Sequence, residues 1–379
     1  MKVAHVCLSC FYIDGFNYQE NQLVRQHVKQ GHDVIVIAST ENYINGKISY
    51  VRPDKYLGDD GAQVIRLAYT KKLPKSLGRK LRVHDGFYDS LVVFKPDVVV
   101  FHGVCTWEIR TMVKYGKNYQ NVKIWYDTHT DSNNSMLNLP SKILHNVFYK
   151  PIFKSVAKDI AKILCISKET ENFIVEEYQY PRDRCVFFPL GGDIISNERF
   201  LSLRANKRAE FNLDSQQKLF VQTGKFTPRK KLIDTLTAFS KIDRNDIRLV
   251  IAGILVDENE QQALELIERD ERITYLGWCD NEQLEALLCA ADVYVQPGTQ
   301  SATMQMSMCM RCAVIIDDVP SHEPYVKGNG WLLNESLSLY EALNSASESN
   351  QLPIMQARSF EIAEQLLDYS KMARKLIED

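Results

Sequence analysis

The sequence predicts an α/β protein made of two doubly wound domains. Strand-type and helix-type segments alternate with few breaks, and the alternation stops near residue 190 and then begins again. At 379 residues, the chain is also too long for one ordinary hydrophobic core. Its 45% hydrophobic and 25% charged residues are typical of a globular protein. We therefore expect two mostly parallel sheets, each covered by helices on both faces.

The first half of the chain opens with a β-α-β unit, in which a helix ends at Gly31 between two buried strands. The elements predicted for this half are a strand at 3–8, a helix at 19–30, strands at 34–38, 98–101, 122–126 and 163–166, and a long helix at 142–162. We expect them to form a first domain over residues 1–190.

The second half repeats the alternation. Its predicted strands are at 219–222, 247–252, 273–276, 293–296 and 314–316. We expect a second domain over residues 191–355. The apolar spacing of 359–377 predicts a helix, and we expect residues 356–379 to cross back onto the first domain.

The segment Gly224–Lys231 carries the strongest functional signal. It holds three lysines and one arginine, directly after the predicted strand 219–222 and before a helical pattern. A glycine turn between a strand and a helix N-terminus can hold a diphosphate, because backbone N–H groups and lysine charges both attract it. We predict that Lys225 and Lys230 bind such a group. The alternative is a basic loop that only improves solubility.

Residues 297–301 follow the predicted strand 293–296 and precede another helix. Small residues there allow backbone N–H groups to approach a phosphate or a sugar. The residues expected at this turn are Gly298, Thr299, Gln300 and Ser301.

Asp127 and His129 follow the predicted strand 122–126, at the edge where parallel sheets bind ligands. His129 is a candidate for the reaction side of the site. Asp127 would either orient the imidazole or position an acceptor hydroxyl. His102, at the end of the preceding predicted strand, is a weaker candidate for lining the same place.

Several stretches, taken in their order along the chain, resemble glycosyltransferase family 4. The stretches that carry the resemblance are 15–21, 30–34, 95–103, 127–131, 166–168, 188–193 and 224–231. The resemblance implies the GT-B fold, with two Rossmann-like domains facing a cleft and a C-terminal helix that crosses back to the first domain. It also implies a retaining enzyme that breaks an anomeric C–O bond through an oxocarbenium-like state.

The activity implied by the resemblance is transfer of a sugar, of the hexosyl type, to a glycan or lipid-linked acceptor in capsule, O-antigen or exopolysaccharide synthesis. The UDP- or GDP-linked sugar would be a substrate, and no separate cofactor is expected. The catalytic residues implied are His129, Asp127, Lys225 and Lys230. The donor-binding residues implied are Gly15, Gly224, Lys225, Lys230, Gly298, Thr299, Gln300, Ser301 and Gln305.

The sequence departs from the family at the paired glutamates near the donor. Gly298 and Met306 stand at those two positions, and Gln305 is one residue away. The segment is similar to a Pro-Gly-Thr-x-Ser variant found in surface-polysaccharide enzymes. This departure leaves open a degenerate GT-B protein that binds a partner transferase, and less readily a nucleotide-sugar epimerase. A Rossmann dehydrogenase is disfavoured, because no Gly-x-Gly-x-x-Gly follows the first strand.

No Asp-x-Asp motif is present in the sequence. Metal-dependent transferases use such carboxylates to hold a divalent ion on the diphosphate, so we predict metal-independent transfer. Nine cysteines occur, with two C-x-x-C spacings at 7–10 and 309–312. No histidine or cysteine cluster accompanies them, which favours reduced thiols in a cytoplasmic protein over a zinc or redox site.

The charge is divided unevenly between the two halves. Residues 71–82 pack six cations among leucines, within a basic first half. Such a segment can bind anionic lipid, each cation contributing about 1 kcal/mol near the surface, or it can be a solvated face. We therefore consider contact with the inner face of the cell membrane. Nucleic acid is disfavoured, because the chain is slightly acidic overall and shows no recognition module.

Overall fold

The computed structural model describes residues 1–44, 47–132, 134–256, 260–298 and 301–378. The chain divides into two compact units, unit 1 (residues 1–189 and 369–379) and unit 2 (residues 190–368). Each unit is a largely parallel sheet with helices on both faces, as the alternating pattern predicts.

Unit 1 contains an eight-stranded sheet in the part of the chain that the structure describes. Its strands, in spatial order, are β10 (Cys185–Phe187), β9 (Ile163–Cys165), β8 (Lys123–Thr128), β7 (Val98–His102), β1 (Lys2–Cys7), β2 (Asp33–Ser39), β6 (Gln63–Leu67) and β5 (Asp54–Leu57). All pairs are parallel except β5 with β6, and β3 (Glu41–Ile44) and β4 (Lys47–Tyr50) form a separate hairpin.

Helices cover both faces of this sheet. The helices of unit 1 are α1 (Gln19–Lys29), α2 (Lys75–Leu81), α3 (Phe87–Phe94), α4 (Glu108–Asn118), α5 (Leu139–Leu144), α6 (Lys150–Val156), α7 (Lys168–Glu176) and α15 (Tyr369–Glu378). Alternation along β1 sends Ala4 and Val6 into one apolar core and Val3 and Cys7 into the opposite one. His5 shares the second face, where α1 and α15 pack together.

Unit 2 contains a six-stranded parallel sheet among the described residues. Its strands, in spatial order, are β13 (Ile273–Gly277), β12 (Ile247–Leu255), β11 (Lys218–Phe226), β14 (Val293–Gln296), β15 (Ala313–Asp317) and β16 (Gly330–Leu333). The helices of this unit are α8 (Asn197–Glu210), α9 (Leu232–Ser240), α10 (Glu260–Glu268), α11 (Asn281–Ala290), α12 (Ala302–Cys309), α13 (Leu339–Glu348) and α14 (Leu352–Leu366).

Strand β11 is longer than predicted. Instead of ending before a glycine turn, it runs through Gly224 to Phe226, in parallel register with Gly253 to Leu255 of β12. Both glycines have positive φ angles, 142° and 145°. A Cβ atom on Gly253 would lie 1.8 Å from the Gly224 carbonyl oxygen, so two residues without side chains let the paired strands continue.

Two predicted helices are divided. The segment at 142–162 forms α5, a π-helical turn His145–Tyr149, α6 and a 3-10 turn Ala157–Asp159. The C-terminal segment forms α14 and α15, separated at the buried Leu367. Because α14 packs on α12 in unit 2, the chain returns to unit 1 at residue 369 rather than at the predicted residue 356.

The contact between the two glycines predicts a sharp cost for a methyl group. We expect Gly253→Ala to lower the free energy of unfolding by about 3 kcal/mol, because its Cβ meets the backbone of β11. Gly277→Ala is the matched control, since Gly277 also has positive φ but nothing lies within 4 Å of its Cβ position; about 1 kcal/mol is expected there. Urea denaturation measures both, and equal losses would contradict the steric argument.

Candidate functional site

The cation loop, defined as Gly224–Lys231, begins within β11 and ends at the N-cap residue of α9. Lys230 closes a 3-10 turn, Pro228–Lys230, and only 9% of this residue is exposed. Its carbonyl accepts a hydrogen bond from the side-chain amide of Gln222 at 2.9 Å. A Cβ atom on Gly224 would lie 3.8 Å from Lys230 Cε, so the lysine stem passes beside the glycine.

The two predicted diphosphate lysines have different surroundings. Burial lowers the pKa of Lys230 to about 8. Lys225, in contrast, is exposed, because the next residue of the strand, Phe226, points into the core. Lys231 forms a salt bridge with Asp317, with 2.9 Å between Lys231 Nζ and Asp317 Oδ2. The loop thus combines a desolvated cation with a solvated one.

The turn after β14 lies directly against the cation loop. Gly298 has φ +90°, and a Cβ atom there would be 2.0 Å from the carbonyl oxygen of Arg229. The two glycine-containing segments of unit 2, predicted separately, are therefore brought together. Thr299 and Gln300 lie outside the described residues. Ser301 caps the same turn by donating from its hydroxyl to Gln296 Oε1.

Gln305 points into the core of unit 2. It is fully buried on α12, and its amide nitrogen lies 3.4 Å from the Tyr325 hydroxyl. Its Oε1 atom has no hydrogen-bond partner among the described residues. Ligand contact by Gln305 stays a prediction. Met304 and Met308, on the same helix, are fully buried.

In unit 1, the loop between β1 and α1 is held by buried Asp60. The carboxylate of Asp60 accepts hydrogen bonds from Tyr12, Asn21 and Arg25. The loop includes Gly15, which is exposed with φ +73° and stays a predicted donor-binding residue. We did not predict the Asp60 cluster, because its members are far apart in the sequence.

Asp127 and His129 lie at the carboxyl end of β8, as predicted. Asp127 is 3% exposed and accepts from the Gly103 N–H at 2.9 Å and from His102 Nδ1. Burial raises the pKa of Asp127, but the His102 and His129 side chains and the Gly103 hydrogen bond hold it below its usual range. His129 Nε2 is 3.9 Å from Asp127 Oδ2, and about a third of the His129 side chain is exposed.

Three buried histidines extend inward from Asp127. His102 Nε2 is 3.0 Å from His5 Nδ1, and His5 Nε2 is 2.9 Å from His27 Nδ1. His27 Nε2 donates to the carbonyl oxygen of Ala373, in α15, at 2.9 Å. We call this chain from Ala373 to Asp127 the histidine relay. The sequence signal that we missed is His5, a titratable residue inside an otherwise apolar strand.

Two family models match this chain. The model described as Glycosyltransferase Family 4 matches residues 15–194, and the model described as Glycosyl transferases group 1 matches residues 204–353. The chain is a glycosyltransferase similar to family 4. None of the curated proteins matches it significantly.

Solved structures show that this glycosyltransferase has the GT-B fold. A glycosyltransferase from Rickettsia africae superposes with a TM-score of 0.66 at 14% identity, covering 100% of this chain and 97% of the other. HepE from Anabaena, in complex with UDP and glucose, has a TM-score of 0.63 at 14% identity, covering 100% and 98%. WaaG, a glycosyltransferase involved in lipopolysaccharide biosynthesis, has a TM-score of 0.60 at 15% identity, covering 100% of both chains.

In the described residues of this glycosyltransferase, no three His, Cys, Asp or Glu side chains are grouped so that they could hold a metal ion. Within the same part of the chain, no helix combines the length and apolar character that a membrane span requires.

The buried histidines predict a pH-dependent stability. Burial lowers the pKa of His27 and His145 to about 4, that of His84 to about 3, and that of His5 well below 6.5. These groups are neutral when folded but take up protons when unfolded, so stability is present above pH 6.5 and is lost as the pH falls toward 4. We expect the urea concentration at the unfolding midpoint to decrease as the pH is lowered from 6.5 to 4.5.

The matched variant for this measurement is His84→Phe, which removes one group that takes up a proton on unfolding. The urea midpoint of this variant should therefore change less with pH. A urea midpoint that does not change between pH 6.5 and 4.5 would contradict the assignment of buried neutral histidines.

Proposed function

We propose that this glycosyltransferase is a retaining enzyme that transfers a hexosyl group from a UDP- or GDP-linked sugar to a glycan or lipid-linked acceptor in cell-surface polysaccharide synthesis. The observation that carries the proposal is the meeting of the cation loop with the Gly298 turn in unit 2. At this contact the backbone of Gly298 lies against the Arg229 carbonyl, and two closely packed backbone segments beside Lys225 and Lys230 are suited to a diphosphate.

The cations supply the charge that the reaction needs. When the anomeric C–O bond breaks, negative charge grows on the nucleoside diphosphate, and a cation fixed next to it lowers the barrier. Lys230 is desolvated before the ligand arrives, so its interaction with a phosphate is screened less than that of exposed Lys225. Metal independence is part of the proposal, since the lysines occupy the role that a divalent ion has elsewhere.

His129 is proposed to line the reaction side. Its Nε2 atom faces Asp127, which leaves Nδ1 for a substrate hydroxyl or the reaction centre. Asp127 already accepts hydrogen bonds at both oxygens, and only 3% of it is exposed. Of the two roles considered for this carboxylate, its position supports orientation of His129 over contact with an acceptor.

Similar proteins support the substrate class. HepE structures contain UDP and UDP-glucose. WaaG is a glycosyltransferase involved in lipopolysaccharide biosynthesis, and WaaB is a lipopolysaccharide outer core galactosyltransferase. On that basis, with the fold as the common element, we propose a nucleotide-sugar donor and a surface-glycan acceptor for this chain.

A second candidate is a degenerate GT-B protein that binds a partner transferase. It is favoured by the residues at the two positions where relatives carry glutamates, Gly298 and Met306. Neighbouring Gln305 is fully buried and carries no charge. An epimerase would need carboxylates near the sugar, and these positions supply none.

We further propose peripheral contact with the inner face of the cell membrane. Helix α2 lies in the basic segment 71–82, and the carbonyl of its Lys80 accepts from the Tyr149 hydroxyl. The segment that leads to Tyr149 exposes three apolar side chains at helical spacing, Leu139, Ile143 and Val147, which are 70%, 53% and 73% exposed. Cations beside an exposed apolar stripe suit an anionic lipid surface.

Calorimetric titration with UDP, GDP and their sugar conjugates tests the donor site. We expect metal-independent binding of one nucleotide, weakened at least tenfold in Lys225→Ala and in Lys230→Ala, because each removes a charge next to the diphosphate. Binding should also weaken as the pH rises above about 8, where Lys230 loses its proton.

Lys241→Ala is the matched control for that titration, since Lys241 is an exposed lysine at the opposite end of α9. If none of the nucleotides binds, the donor site is wrong and the partner protein becomes the leading candidate. Nucleotide binding that requires magnesium would contradict only the proposed metal independence.

Flotation with vesicles of anionic and of neutral lipid tests the membrane contact. We expect binding to anionic vesicles, reduced by about tenfold in the double variant Leu139→Asp, Val147→Asp, because apolar area is lost and negative charge is added. Leu57→Asp, at a residue 76% exposed elsewhere on unit 1, should bind as the native protein does. Equal binding by the double variant and the native protein would contradict the proposed surface.

A further inference from the structure

The histidine relay is a buried polar structure that the transfer reaction does not explain by itself. Its three imidazoles are at most 1% exposed and come from separate elements, His5 from β1, His27 from α1 and His102 from β7. The planes of the His5 and His102 rings make an angle of 10°, and their centroids are 5.3 Å apart. The relay begins at Ala373 in α15 and ends at Asp127.

The two ends of the relay, both of which can only accept, determine the direction of its hydrogen bonds. A carbonyl oxygen can only accept, so His27 must carry its proton on Nε2. Neutral His27 then accepts at Nδ1 from the Nε2–H of His5, and His5 in turn accepts at Nδ1 from the Nε2–H of His102. At the other end, an ionised Asp127 also only accepts, and His102 donates to it from Nδ1.

Counting the protons in these hydrogen bonds then gives the charge of the histidine relay. Four hydrogen bonds need four protons, whereas three neutral imidazoles provide three. The additional proton belongs to His102, which donates from both ring nitrogens as an imidazolium, paired with the Asp127 carboxylate. The relay is therefore electrically neutral as a whole while holding a buried ion pair at its outer end.

The surroundings agree with this assignment. Burial lowers the pKa of His102, but the carboxylate of Asp127, followed by Cys7 and Glu20, raises it to about 10. For His5, burial and the neighbouring His27 and His102 lower the pKa, which keeps this ring neutral. From α15, the relay contacts a backbone carbonyl.

We propose that His102, kept protonated by the relay, is a positioning residue that holds Asp127 and thereby His129, and that α15 takes part in this through Ala373. Both Asp127 oxygens are then occupied, by the Gly103 N–H and by His102, so the carboxylate neither turns nor takes up a proton during the reaction. The role given to His129 rests on the proposed function, but the protonation states do not.

Histidine-selective ¹⁵N NMR of the full-length protein tests the proposal without any substrate. Protonated and unprotonated ring nitrogens resonate separately, so each tautomer is read directly. We expect His102 to carry protons on both nitrogens at neutral pH, with His5 and His27 protonated on Nε2 alone. A neutral His102 at neutral pH would overturn the proposal, whatever the activity of the enzyme.

Two substitutions at one position separate the relay from mere packing. In His5→Leu, His102 Nε2–H loses its acceptor, and its titration midpoint should fall by roughly 1–2 pH units. In His5→Gln, the side-chain amide can accept from His102 and donate to His27, so the midpoint should return toward the native one. Equal midpoints in the Leu and Gln variants would overturn the relay.

The link to α15 has its own variant. His27→Leu removes the connection to Ala373 while leaving the His5–His102 contact, and should lower the His102 midpoint less than His5→Leu does. His32→Gln is the control, because His32 touches the His27 ring without a place in the chain of hydrogen bonds, and it should leave the midpoint unchanged. A native midpoint in His27→Leu would remove α15 from the proposal.

Discussion

The arrangement of unit 2 depends on the close approach of two backbones at Gly224 and Gly253. Because neither residue has a side chain, β11 and β12 stay paired through positive φ angles and carry the chain into the cation loop. A second such approach, between Gly298 and Arg229, brings the next loop against the first. The lysines therefore project from a rigid backbone frame, which reduces the ordering that an anion would otherwise require.

In unit 1, the main constraint is a buried carboxylate, Asp127, which lies beside the partly exposed His129. An isolated buried charge is costly, so Asp127 is accompanied by a backbone N–H and by His102. The compensating charge, on buried His102, contacts the same Asp127 oxygen, Oδ2, that lies 3.9 Å from Nε2 of the partly exposed His129. Unit 2 thus places the buried cation Lys230 in its loop, whereas unit 1 pairs the buried carboxylate of Asp127 with His102.

The sequence predicted the fold class and most of the parallel strands, because strands buried on both faces are continuous apolar runs. It missed β6, whose apolar run is interrupted by Arg66, and the short edge strands β5, β10 and β16, whose residues are at most partly buried. It placed His129 and Lys230 after the ends of predicted strands, because the order of residues along the chain is enough to show this. It did not reveal the histidine relay, because His5, His27 and Ala373 meet only in three dimensions.

The return of α15 to unit 1 has a consequence for synthesis of the chain. Its residues Met372, Ala373 and Leu376 cover Val100 and Leu164 on the sheet of unit 1. At a translation rate of about 5–20 residues per second, the intervening unit 2, residues 190–368, takes roughly 10–35 seconds to be made. During that time this apolar face is uncovered on the nascent chain. Unit 2 is thus made while unit 1 is incomplete, and α15, which is translated after unit 2, covers this face of the first sheet.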